Sequence, residues 1–415
     1  MIRYNQFELE NGLRVIVHED SSTPFVVVNV IYDVGARDES PERTGFAHLF
    51  EHLMFGGSKH VPEFDKPLEL AGAKNNAFTN NDVTNYYDII PKENLDTALW
   101  LESDRMGYLN IDQHALDVQR KVVVEEFKER YLTKPYGEVW HHLRQMAYTT
   151  HPYQWPTIGL TTKHIEEAEL EDVRAFFEKH YNPSNAILLL AGNITEAEAR
   201  DKATTWFGDL SPGQKYVRDL PQEPEQTAAR RKVVKADVPL DALYMAFPMP
   251  ARNEAGYYEC DLISDVLSNG HSSRLYRSLV KEKQQFSSVH AYILGSFERG
   301  LFIIEGKPLP GISNEEAEGA IWSALHELVE QPPSERELQK VKNKVEANLV
   351  YQRMQPMNKA LALAFSAIGG DVSEVNEEDA KYQAITVEGF TSVAKQLFRK
   401  EKSNTLWWLA ESTAK

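Results

Sequence analysis

The sequence predicts an α+β fold made of two related α/β-sandwich domains, on three observations. The chain has 415 residues, more than a single hydrophobic core ordinarily organises. A stretch from Gly208 to Pro239, rich in Pro, Gln and charge, interrupts it near the middle, with Val233–Val234 as its one apolar cluster. On either side the elements come in the same order: strands first, then long helices, then a helix followed by an apolar strand. The expected division is 1–215 for an N-terminal domain, 216–239 for a linker and 240–415 for a homologous C-terminal α+β domain.

Each half can be justified in chain order. The start, MIRYNQFELENGLRVIV, alternates polar and apolar residues around Gly12-Leu13 and reads as strand, turn and strand. It lacks the charged and apolar regions of a signal peptide. Val26–Tyr32 reads as a strand, and a loop containing Pro41 follows it. A helix can then begin at Thr44 or Gly45 and stop at Gly56-Gly57. Leu116–Tyr131 is helical by spacing, and Ala186–Ala191 is an apolar strand. The second half repeats this with Leu243–Phe247 as the early strand and Thr405–Ala410 as the last.

Composition narrows the function classes. With 42% hydrophobic and 26% charged residues the chain reads as a soluble globular protein, and no apolar run is long enough to span a membrane. A formal net charge of −17 argues against binding nucleic acid through its phosphates. Its plainest use is solubility, and an acidic chamber preferring basic peptides is the sharper alternative. A single cysteine, Cys260, excludes an internal disulfide and a cysteine-based metal site. These features favour the cytoplasm, although a disulfide-free periplasmic protein without its leader would read the same.

The chemistry concentrates in Ala47-His48-Leu49-Phe50-Glu51-His52-Leu53-Met54. On a helix, His52 lies about 40° from His48, and Glu51 about 60° to the other side. Apolar residues cover the rest of the circumference, so the helix should be buried. Two imidazoles and a carboxylate on a buried stripe need a partner, and a divalent metal supplies one for both histidines. Glu51 suits a general base better than a ligand, because catalytic zinc takes three protein ligands and keeps one position for water. The third ligand must come from elsewhere. On the helix starting at Leu116, the apolar face runs through Leu116, Val123 and Phe127. Glu126 falls between Val122 and Phe127, Glu125 toward solvent and Glu129 near the rim. Glu126 is therefore the expected third ligand, with an ordinary ion pair as its alternative. Asn75 to Ile90 alternates and is rich in Asn and Thr, which suggests an edge strand to which an extended peptide could add around Asn76 and Ala77.

Together these residues resemble the pitrilysin family, which includes insulysin and the mitochondrial processing peptidase and carries H-x-x-E-H as an inverted zinc motif. The family completes its site from a helix reading R-x-V-V-x-x-E, and Arg120–Glu126 matches it. Tyr32–Gly45 is similar to the segment that introduces the motif in bacterial members. Asn76–Thr79 and Asn85–Tyr87 resemble the strand that pairs with substrate backbone, and Ser268–Tyr276 is similar to the start of the second domain's helix. The resemblance implies a zinc metalloendopeptidase with one Zn2+ per chain, held by His48, His52 and Glu126. It also implies Glu51 as base and substrate contacts at Asn76, Ala77 and Phe78. A chain of this length would be half of the family's clamshell. Two positions depart from the pattern. Gln119 replaces a family glutamate, and Val280 and Ser287 stand where active relatives carry Arg and Tyr. The departure implies a zinc-bearing subunit whose homologous partner supplies Arg and Tyr, or a homodimer using Lys281, Lys283 or Tyr292. A non-catalytic structural subunit of the same family and a metal-dependent hydrolase of non-peptide substrates are the alternatives.

Overall fold

Phe25–Tyr32 and Ala186–Gly192, the most apolar segments of the first half, are buried almost throughout in the computed structural model, which describes residues 1–411. Strands without a polar face need cover on both sides, which places them at the centre of a sheet. That sheet comprises β1 (Asn5–Glu8), β2 (Arg14–Glu19), β3 (Phe25–Tyr32), β4 (Lys74–Thr79), β5 (Thr84–Pro91) and β6 (Ala186–Gly192), in the order β1-β2-β6-β3-β5-β4. Only β2 and β6 pair in parallel. Asn29 on β3 and Asn85 on β5 exchange side-chain hydrogen bonds of 3.0 and 2.9 Å, so this buried polar pair is satisfied. The helices of this half are α1 (Phe46–Leu53), α2 (Asp65–Leu70), α3 (Leu95–Tyr108), α4 (Gln113–Phe127), α5 (Val139–Ala147), α6 (Thr162–Glu166), α7 (Leu170–His180) and α8 (Glu196–Phe207).

The second half contains β7 (Arg230–Ala236), β8 (Ala242–Pro248), α9 (Tyr257–Ser268), β9 (Phe286–Leu294) and β10 (Leu301–Pro308). After these come α10 (Asn314–Glu330), α11 (Glu335–Gln352), α12 (Pro356–Ile368), α13 (Glu378–Gln383), α14 (Val387–Leu397) and β11 (Asn404–Ala410). Its sheet runs β7-β11-β8-β10-β9, with β7 and β11 parallel and the other pairs antiparallel. This is the order and sense of β2-β6-β3-β5-β4 repeated, so the two sheets share one topology. Alternation along β8 sends Leu243, Met245 and Phe247 into a core with α9, α10 and α14. Ala242, Tyr244 and Ala246 go into a second core with Val139, Leu143 and Ala147 of α5.

The linear division expected from the sequence does not hold. One unit comprises Met1–Lys128, Trp155–Pro221 and Val350–Glu377; the other comprises Glu129–Gln154, Gln222–Leu349 and the chain from Glu378 onward. Thus α12 covers β3 and β6 of the first sheet, and α5 covers β8 and β11 of the second. The expected linker 216–239 also contains β7, an edge strand whose Arg and Lys residues hide it in a charged stretch. Among the described residues no helix is long and apolar enough to cross a membrane.

Candidate metal centre

The loop from β3 delivers the chain to α1 through Gly45, whose φ of 90° places it in the left-handed region. A Cβ there would stand 2.6 Å from the Ile158 carbonyl oxygen, so glycine is required on both counts. Phe46, Ala47, Leu49, Phe50 and Leu53 bury one face of the helix. Phe50 stacks on Phe176 and Tyr181, with centroids 5.0 and 5.1 Å apart. The expected burial of this helix is thus met by aromatic packing within the first unit.

Helix α4 starts at Asp112, whose carboxylate accepts a 2.8 Å bond from the Ala115 N–H, and packs against α1. Leu116, Val123, Val124 and Phe127 face inward. Glu126 is half-buried beside them, whereas Glu125 and Glu129 are exposed. Of the two apolar residues expected to flank Glu126, Phe127 is buried and Val122 is 45% exposed, so the buried face ends near Glu126.

The three residues expected to bind metal come together. The Nε2 atoms of His52 and His48 lie 3.2 and 3.7 Å from the same oxygen, Glu126 Oε2. The two imidazole planes are inclined by 76°, with centroids 4.8 Å apart, and one ligand atom from each residue lies within 4.8 Å of the others. Tetrahedral zinc with ligands near 2.0–2.1 Å requires donor separations of about 3.4 Å. An isolated ion pair needs one imidazole on a carboxylate oxygen, whereas two face it here. The donor set, two His and one Glu, also suits zinc.

Glu51 lies on the same helix beside this cluster. Burial pushes its carboxyl above the usual range; neighbouring Thr79 on β4 and His52 draw it down, and Glu126 pushes it up. The edge strand β4 packs against α1 and, among the described residues, pairs only with β5, with Asn76, Ala77 and Phe78 opposite Tyr87, Tyr86 and Asn85. Asn76 is exposed, and its Oδ1 accepts a 2.9 Å bond from the Ala77 N–H. Phe78 is half-buried and stacks on Phe365 of α12. Gln119, about two turns before Glu126, lines a cavity of about 720 Å³ with Gly56, Gly57, His114 and Val118.

In the second unit, Val280 packs against the core and Ser287 is exposed, its hydroxyl donating a 3.1 Å bond to the Lys307 carbonyl. Tyr292 donates a 3.4 Å bond to Glu305. Sequence reasoning missed Thr79 as a neighbour of Glu51. Thr79 could have been found as the end of the strand it named.

Residues 14–160 match the family model described as insulinase, peptidase family M16, and residues 167–345 match that of the peptidase M16 inactive domain. The chain belongs to the M16 peptidase family. Zinc protease PqqE of Helicobacter pylori is similar at 28% identity over 98% of this M16 chain and 92% of that protein. A crystal structure of a protease from Helicobacter pylori superposes with a TM-score of 0.92 at 28% identity, covering 98% of this chain and 100% of that one. The periplasmic protease PqqL from Escherichia coli shares the fold, with a TM-score of 0.80 and 19% identity. The match covers 99% of this chain but only 49% of PqqL.

Proposed function

We propose that this M16 chain is a zinc metalloendopeptidase, or the zinc-bearing subunit of one. The reading is carried by the convergence of His48, His52 and Glu126 from two helices, with Glu51 beside them on α1. When bound, zinc would act as a Lewis acid toward water and a peptide carbonyl. His48 and His52 would hold it through their imidazoles and Glu126 through a carboxylate oxygen. Glu51 is left free to take a proton from the attacking water and return it to the departing amine. Substrate runs extended along β4, where Ala77 offers backbone groups once the Asn76 side chain gives way; such pairing tolerates many side chains.

The reading extends to a partner. Val280 is apolar and Ser287 is committed to the Lys307 carbonyl, so neither is available to stabilise an oxyanion. A homologous chain carrying Arg and Tyr would supply those donors, consistent with PqqL containing this fold within a chain about twice as long. The test assays the purified chain on mixed short peptides, alone and with such a partner, before and after chelation. Activity that needs zinc and rises at least about 10²-fold with the partner is expected. Full activity of the isolated chain would remove the partner and keep the peptidase. No zinc-dependent cleavage in any mixture would remove the peptidase and favour the structural-subunit alternative.

A further inference from the structure

Resting on the zinc reading above, we propose that Glu39 is a positioning residue for the metal centre, fixing the start of α1 so that His48 and His52 meet Glu126. A helix begins with N–H groups that have no partner within it, and an N-cap side chain usually takes one of them. Helix α1 cannot use that device, because its N-cap must be the left-handed Gly45, where the Ile158 carbonyl leaves no room for a side chain. Thr44, the residue before it, is also engaged: its hydroxyl lies 2.8 Å from His164 Nδ1 and accepts a 2.8 Å bond from the Leu160 N–H.

Glu39 fills the gap from outside the helix. Its Oε2 accepts the Gly45 N–H and its Oε1 the Ala47 N–H, both at 2.8 Å. The second bond is made at the residue immediately before His48. The side chain is buried, so the bonds are not shared with solvent. Burial pushes the Glu39 carboxyl well above its usual range, and the bonds from the Ala47 and Gly45 N–H groups draw it back toward the charged form that a helix N-terminus favours. The supporting loop is itself held: Arg218 bridges Asp33 and Asp38, Arg37 pairs with Asp82, and the Trp155 indole donates 2.8 Å to the Ala36 carbonyl. The carboxylate therefore has little freedom to drift, and neither does the first turn of α1.

Helix α9 provides an internal contrast. It leaves β8 through Gly256, also left-handed at φ 97°, but the nearby Glu254 accepts from the Ala251 N–H within the loop and pairs with Arg299. The two-pronged cap occurs on the helix that carries His48 and His52.

Glu39→Gln keeps one acceptor and turns an amide N–H toward a backbone N–H, whereas Glu39→Asp keeps both carboxyl oxygens but is one methylene too short. Zinc affinity is measured by chelator competition, with melting temperatures of the zinc-free and zinc-loaded forms. Both variants should lose about 10- to 100-fold in affinity, and the zinc-induced rise in melting temperature should shrink. Equal losses of melting temperature in both forms, with wild-type affinity, would make Glu39 a purely structural cap and overturn the proposal. If neither variant folds, hydrogen exchange on the zinc-free wild type decides. Protected amides at Gly45 and Ala47 are expected; protection appearing only with zinc would mean the metal itself orders the helix, and would overturn it. A wild type that binds no zinc would overturn the metal reading and this proposal together. Zinc-binding wild type with unaffected variants would overturn this one alone.

Discussion

Helices α1 and α9 leave their sheets in the same way and do different things. Each follows the strand that sits third in the shared order, passes a left-handed glycine and packs on the helix that precedes its sheet's last strand in the chain, α7 or α14. Counting from the glycine, the third, sixth and seventh residues are His48, Glu51 and His52 in α1, but Glu259, Leu262 and Ile263 in α9. Leu262 and Ile263 are fully buried, so α9 spends on packing the stripe that α1 keeps for polar side chains. The helices at α4's place differ likewise: α4 offers Glu126 to α1, whereas α11 buries Lys342 against the Gln383 carbonyl. The scaffold thus sets where a site can be, and a few side chains decide whether there is one.

The largest effect that would sharpen this contrast is on turnover. Glu51→Gln should retain zinc and stability and lose at least about 10²-fold in rate, measured on peptides with any required partner. Comparable activity in the variant would move the base elsewhere. At the matching position of α9, Leu262→Ala should do the reverse, lowering stability by about 2–5 kcal/mol while zinc content stays the same. Denaturant unfolding with elemental analysis reads both, and zinc loss in Leu262→Ala would break the contrast.

A smaller difference lies in pH. Helix α7 ends at His180, buried between the rings of Phe176 and Tyr216 at 4.6 and 4.5 Å, where α14 ends at Leu397. Burial, with Lys179 and Arg218 nearby, lowers the His180 pKa to about 3 from 6.5. The unfolded chain gains its proton near pH 6.5, and the folded chain only near pH 3. Stability from this group is therefore present above pH 6.5 and lost as pH falls toward 3, by about 2 kcal/mol at pH 5. Unfolding midpoints at pH 7 and 5 should show that loss, and His180→Leu should remove it. An identical pH slope in the variant would assign the effect to other groups.

Much of the site was legible because helical periodicity is local. Spacing alone put His48 and His52 on one stripe and separated Glu126 from Glu125. The central strands were legible as apolar runs, and the shared topology as a repeated order of elements. Long-range facts were not. Nothing local marks Phe365 of α12 as the neighbour of Phe78, or Val139 of α5 as core for β8. A charged edge strand such as β7 looks like linker, because its pairing with β11 leaves no hydrophobic alternation to see. Glu39 was invisible for a related reason: its partners are backbone amides, which carry no residue identity.

Zinc stoichiometry across four proteins tests the central claim, that α1 and α4 jointly form a metal site, most directly. Elemental analysis of wild type, Glu126→Gln, Glu125→Gln and Glu129→Gln is compared after identical dialysis against a weak chelator. The account predicts about one zinc per chain in wild type, Glu125→Gln and Glu129→Gln, because a catalytic zinc takes three protein ligands and neither exposed glutamate is among them. It predicts near-complete loss in Glu126→Gln. Wild-type zinc content in Glu126→Gln, or loss in Glu129→Gln instead, would contradict it.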